Sequence, residues 1–202
     1  MGAFLYRLAR RHEREPPPAR ELRDRWEQLQ FDRLQDGYRP YREILADSLA
    51  EWAGERGYRW NDKDGEALAE AMESWQPFPD TRPALRRAQE AGLRLWILSN
   101  TDRAIMDHSL RHLEIDFDGV TVAEDAKAYK PGDGPFEHAL REIGDPPENI
   151  LHVAFGFKYD IAAAQRHGMR TAWVNRKAEE APGAERPDYE WNDLWPLAEV
   201  RG

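Results

Sequence analysis

The chain has 202 residues, the size of one ordinary domain or a core domain with a modest insertion, and 41% apolar residues with 14 glycines exclude wholesale disorder. Twenty-nine basic residues against 38 acidic ones leave a formal charge of −9 with no basic tail or stripe, which argues against a nucleic-acid or anionic-membrane surface as main partner. Cysteine is absent, excluding disulfides, thiolate metal sites and a cysteine nucleophile, and the longest apolar stretch, Leu95 to Leu98, falls far below the roughly 20 residues of a membrane span, so a soluble, cytoplasmic protein without a signal peptide is expected.

Residues 1–75 read as helices only. A first helix covers Ala3 to Arg11, and Pro16-Pro-Pro18 follows as a stiff spacer. Glu21 to Gln35 carries Leu22, Trp26, Leu29 and Phe31 at helical spacing, and Tyr41 to Ala53 carries Tyr41, Leu45, Leu49 and Trp52; Asp36 to Pro40 joins them as an antiparallel pair. Asp64 to Trp75 makes a third, shorter helix. The rhythm changes at residues 75–81, where Pro77 and Pro79 forbid a continuous helix and Asp80 or Thr81 supplies an N-cap for the next one.

From there helix and strand alternate. The helices are Pro83 to Ala91, Ala104 to Leu113, Phe136 to Ile143 and Asp160 to His167; the strands are Leu93 to Leu98, Val120 to Ala123, Ile150 to Ala154 and Thr171 to Val174. Short, nearly continuous apolar strands with helical links predict an α/β fold with a parallel sheet and right-handed crossovers.

Ligands of open parallel sheets sit at the carboxyl ends of the strands, so the residues just after each strand are the candidates. Ser99 and Asn100 leave the first strand together and are placed to hold an oxyanion at a helix N-terminus, or Ser99 or Thr101 simply caps that helix. Lys130 precedes Pro131, and Asp160 opens a helix after the third strand, where an acid also serves as a favourable first-turn charge. His108 and His112 share a helix face but lack the glutamate of a zinc-protease motif.

The order Ser99-Asn100, then Lys130-Pro131 after 31 residues, then Asp160 after another 30, resembles the haloacid dehalogenase superfamily, and more closely its type II branch with the L-2-haloacid dehalogenases. Trp26 to Phe31, Gly37 to Ile44, Pro77 to Thr81, Ala123 to Asp125, His152 to Ala154, Gly168 to Thr171 and Trp173 to Arg176 carry the same likeness. The resemblance implies a Rossmann-like core at residues 76–202, with a parallel sheet lacking its first central strand, and an N-terminal α-helical cap at residues 1–75. It implies hydrolytic removal of halide from small 2-haloacids: an aspartate displaces the halide, and water hydrolyses the resulting ester. Ser99 and Asn100 would bind the substrate carboxylate, Lys130 would hold the aspartate ionised, and Asp160 would organise the lysine and the hydrolytic water.

The chain departs from the family's pattern in three ways. The first motif, an apolar strand ending in the aspartate nucleophile, is not found ahead of the cap, so no turnover is expected of this chain. Asp62-Lys-Asp64 and Asp116-Phe-Asp118 are poor substitutes by position. Phe155, Gly156 and Phe157 stand where polar residues often precede the last acid, Phe136 replaces a tyrosine, and the cap's halide-binding arginine has only Arg25 and Arg33 as candidates. No cofactor and no metal are expected, since a phosphatase Mg²⁺ site needs carboxylates after two strands and only Asp160 is present. The alternatives are a non-catalytic binding or interaction protein on the same scaffold, or a phosphatase-like fragment. The expected partner is a small organic acid if the chain is active, with no nucleic acid and no membrane, and a homodimer is compatible with the sequence. Without the central strand, the two strands that would flank it are expected either to pair directly in a collapsed sheet or to leave unpaired edges in a marginal protein that aggregates or borrows a strand.

Overall fold

The computed structural model describes residues 1–200. It divides into two compact units, one of residues 1–75 with 102–109 and one of residues 76–101 with the chain from 110 onward.

The first unit is helical. α1 (Gly2–Ala9), α2 (Ala19–Gln35), α3 (Tyr41–Glu55) and α4 (Asp62–Glu73) follow in order, and α6 (Arg103–Leu113) begins in it. Leu22, Leu45, Leu49 and Trp52 are completely buried, and the indole Nε1 of Trp52 donates to the Leu22 carbonyl at 3.1 Å, locking α2 to α3. α3 starts after Pro40, which offers no side-chain cap. Asp102 supplies one from a distance of 60 residues: its carboxylate accepts the backbone N–H of Tyr41 at 2.8 Å and of Arg42 at 2.9 Å, satisfying two donors that a helix start leaves free.

The second unit is α/β. α5 (Thr81–Glu90) leads to β1 (Trp96–Ser99), and β2 (Gly119–Val122) is followed by α7 (Ala123–Ala126) and α8 (Asp133–Ile143). β3 (Leu151–Ala154), α9 (Phe157–Arg166), β4 (Arg170–Val174) and β5 (Tyr189–Trp191) complete it. All strand pairs are parallel, but they form two separate sheets: β1 with β2, and β3-β4-β5. β1 and β3 therefore do not pair with each other, and the directly paired, collapsed sheet expected from the sequence is not formed.

β1 begins at Trp96 rather than Leu93 because the preceding residues are engaged elsewhere. Leu95 exchanges its N–H and C=O with the carboxylate and backbone N–H of Asp118, at 2.7 and 2.8 Å. Asp80 does stand at the start of α5, yet its carboxylate makes no cap; it accepts from Arg176 and from the Leu194 backbone, both at 2.8 Å. No helix among the described residues is long and apolar enough to cross a membrane.

Candidate active site

Lys130, Asp160, Asn100 and Ser99 come together at one end of the second unit. Asn100 fixes the lysine's backbone: its Nδ2 donates to the Lys130 carbonyl at 2.9 Å, while its Oδ1 accepts the Lys130 N–H at 2.8 Å. This reciprocal clamp holds a loop residue as firmly as a sheet ladder would. The peptide that follows, Lys130–Pro131, is cis. With its main chain fixed, the lysine points its ammonium inward, donating to Asp160 Oδ1 at 2.5 Å and to the Leu98 carbonyl at the end of β1 at 2.9 Å.

Asp160 sits in the first turn of α9, where the helix dipole favours its charge, and its side chain and that of Lys130 are both less than one-tenth exposed. Burial works against the carboxylate, but the Lys130 ammonium and then the hydrogen bond from His152 outweigh it, holding Asp160 below the usual aspartate range. His152, on β3, places Nε2 at 2.9 Å from the same oxygen. A carboxylate only accepts, so Nε2 carries the proton there. His152 is the member of this constellation that the residue pattern alone does not single out as chemical, because a lone histidine within an apolar strand carries no signal of its own.

Ser99 closes β1 in register with Val122 and is half-buried. Thr101 does not cap α6, since its buried Oγ1 has no hydrogen-bond partner among the described residues. Before Asp160, Phe157 is buried edge-on against Trp173, with centroids 5.0 Å apart, whereas Phe155 is 50% exposed and carries the Lys177 ammonium 5.2 Å from its ring centre. Phe136 is completely buried between the rings of His152 and His167.

Two other sets of residues are committed to structure. Within the first unit, Arg25 pairs with Glu55, and Arg33 bonds Glu51 at 2.6 Å, so both arginines brace α2 against α3. Asp64 is held by Arg11 and Asn61, each at 2.8 Å, and Asp118 by the Leu95 N–H at 2.7 Å. Among the described residues no three His, Asp or Glu side chains are grouped to hold a metal ion. The site at Asp160 also fits a cation poorly, because the Lys130 ammonium already stands 2.5 Å from its Oδ1 and would repel a second positive charge.

A model of haloacid dehalogenase-like hydrolases matches residues 4–168. The (S)-2-haloacid dehalogenase of Pseudomonas putida is 29% identical over 159 residues, covering 75% of this chain and 70% of that protein. Haloacetate dehalogenase H-2 of Moraxella sp. (strain B) is 27% identical over 169 residues, 80% of this chain and 75% of that one. Among solved structures, the L-2-haloacid dehalogenase of Xanthobacter autotrophicus superposes with a TM-score of 0.82 over 98% of this chain and 91% of its own, at 20% identity that speaks for the fold alone. Another L-2-haloacid dehalogenase, at 26% identity, gives 0.76 over 98% and 91%. With a family model spanning most of its length and an α/β core of parallel strands like theirs, the chain belongs to the haloacid dehalogenase-like hydrolases.

Proposed function

We propose that the site serves small 2-haloacids, and that this chain binds such an acid without turning it over. The observation that carries this is the convergence of Lys130, Ser99 and Asn100 at the carboxyl end of β1, in a chain similar to (S)-2-haloacid dehalogenases. The substrate carboxylate would lie against the Ser99 hydroxyl and the one amide proton of Asn100 not given to Lys130, with residues 1–75 serving as the cap. In the family's reaction a carboxylate oxygen attacks C2, the carbon–halogen bond breaks with its electron pair leaving as halide, and water then hydrolyses the ester. Asp160 is poorly suited to that attack, since Lys130 and His152 already hold its Oδ1 in a buried setting.

Titration calorimetry with L-2-chloropropionate, and a chloride assay on the same mixture, test both halves. Saturable binding that weakens in Ser99→Ala, without chloride release, is expected. Stereoselective chloride release would overturn the lack of turnover; absence of binding would overturn the substrate class, and tighter binding of inorganic phosphate would favour the phosphatase alternative. The exposed Phe155 ring favours a second reading, a scaffold that binds a ligand or partner without catalysis.

A further inference from the structure

Three ionisable groups meet at one buried oxygen. Asp160 Oδ1 accepts from the Lys130 ammonium at 2.5 Å and from His152 Nε2 at 2.9 Å, so the ammonium and the imidazole stand no farther apart than those two bonds laid end to end. All three side chains are close to fully buried, His152 being the most open at 12%. An ammonium has three N–H donors, and the Leu98 carbonyl and Asp160 take two of them; the third is left for a ligand. The imidazole also has a nitrogen to spare, since Nδ1 makes no hydrogen bond with a described residue.

The surroundings of the ring single out this cluster. From α9 it meets Asp160, while Lys158 on the same helix is exposed. From α8 it meets Phe136, edge-on with centroids 5.5 Å apart. The charges of α8 are engaged elsewhere or exposed: Asp133 lies 3.2 Å from His167, His138 and Glu142 lie 3.5 Å from each other, and Glu137 and Arg141 face solvent. From β4, Thr171 is in register with His152, and its hydroxyl donates to Asp188 at 2.9 Å. Arg170, one residue earlier, is on the opposite face of the sheet from Thr171, because strand side chains alternate. The charges that bear on His152 most directly are therefore Asp160 and Lys130.

With the ring neutral, that cluster carries one positive charge and one negative. An anion set against Lys130 adds a second negative charge in a setting where burial penalises any uncompensated ion. Of the three groups, the imidazole is the one that gains a cationic charge near neutral pH, and a nearby negative charge favours its charged form. An imidazolium still donates through Nε2, so the bond to Asp160 survives the change.

We propose that His152 is a proton-linked positioning residue of the anion site: as a small anion settles at Lys130, the ring takes one proton from solvent on Nδ1 and keeps its bond to Asp160. Two positive groups and two negative ones then balance. The inference rests on the reading of this site as one for small organic acids, and it adds to that reading how the acid's charge is met.

Titration calorimetry of the whole 202-residue chain with L-2-chloropropionate, an acid ionised throughout the range used, tests the link. At pH 7 the heats in two buffers of different ionisation enthalpy should differ, giving uptake of up to one proton per anion bound. Affinity should rise roughly two- to tenfold per pH unit as pH falls from about 8 to about 6. His152→Gln keeps an N–H for Asp160 but cannot titrate, so it should bind with no proton uptake and a flat pH profile, whereas His167→Gln should behave as wild type. Binding by the wild-type chain without uptake would overturn the proposal, and that outcome needs no variant to fold; so would uptake that persists in His152→Gln. If L-2-chloropropionate does not bind, the 2-haloacid reading fails, and sulfate, a dianion over the same range, takes its place. Sulfate bound without uptake, or not bound, would overturn the proton link as well.

Discussion

The ammonium of Lys130 and the carboxylate of Asp160 stand 2.5 Å apart, buried, and each is held by a second element: Asn100 clamps the lysine's backbone, and His152 shares the aspartate's oxygen. The pair therefore ties the ends of β1 and β3 together across a gap where no backbone hydrogen bonds do so.

Removing the cation leaves the anion behind. Lys130→Met should destabilise the second unit by about 3–5 kcal/mol, the usual cost of stranding one member of a buried pair, whereas Lys130→Met with Asp160→Leu should recover much of that loss. Urea unfolding of the single and double variants measures it; a single variant within about 0.5 kcal/mol of wild type would show that the pair is not holding the sheets.

The pH dependence has a definite sign. Asp160 is held below its unfolded value of about 3.9, so its contribution is complete above that pH and is lost as pH falls towards and through the folded value. Asp80 behaves alike: burial opposes its charge, but Arg176 and the Leu194 N–H prevail and lower it. The urea midpoint should fall as pH drops below about 4, and Asp160→Asn should flatten that fall without abolishing it, since Asp80 remains. An unchanged slope in the variant would contradict the direction given for Asp160.

Strands β1 to β4 are legible in sequence because each is a short apolar run between turn signals, and the helices because their apolar residues keep a 3.6-residue period. β5 is not legible: Tyr189-Glu-Trp191 buries only Trp191, and it is held to β4 by backbone pairing and by the Trp191 carbonyl accepting from Asn175 at 2.7 Å, contacts that composition does not announce. Lys130 and Asp160 are legible as a pair only through the order of motifs. His152 and the clamp of Asn100 on Lys130 arise from folding that brings residues 8 and 30 positions apart within hydrogen-bond reach, where no periodicity operates.

Asp102 gives a test of a long-range cap. Asp102→Ala would leave the Tyr41 and Arg42 N–H groups unsatisfied at the start of α3, with an expected loss of about 1–2 kcal/mol. Asp102→Asn keeps an acceptor oxygen and should lose less. Amide exchange at Tyr41 and Arg42 reports the effect directly; unchanged exchange in the alanine variant would refute the cap.

Gly119 and Trp96 face each other in register across β1 and β2, and the indole's six-membered ring lies where a Cβ on residue 119 would be. The ring is also fixed at its other end, since Nε1 donates to Thr121 Oγ1 at 3.0 Å and Thr121 in turn donates to Glu142 at 2.8 Å, linking β1 through β2 to α8. Gly119→Ala must therefore push the ring aside and break the first of these bonds, leaving the indole donor and the completely buried Thr121 with one partner fewer. Overpacking of this kind costs about 1–3 kcal/mol, with about 1 kcal/mol more for the hydrogen bond. Trp96→Phe removes the outer ring and should absorb part of the clash, so the double variant should be less destabilised than the two single losses added together. Strict additivity in urea unfolding would mean that the glycine is there for some reason other than the tryptophan above it.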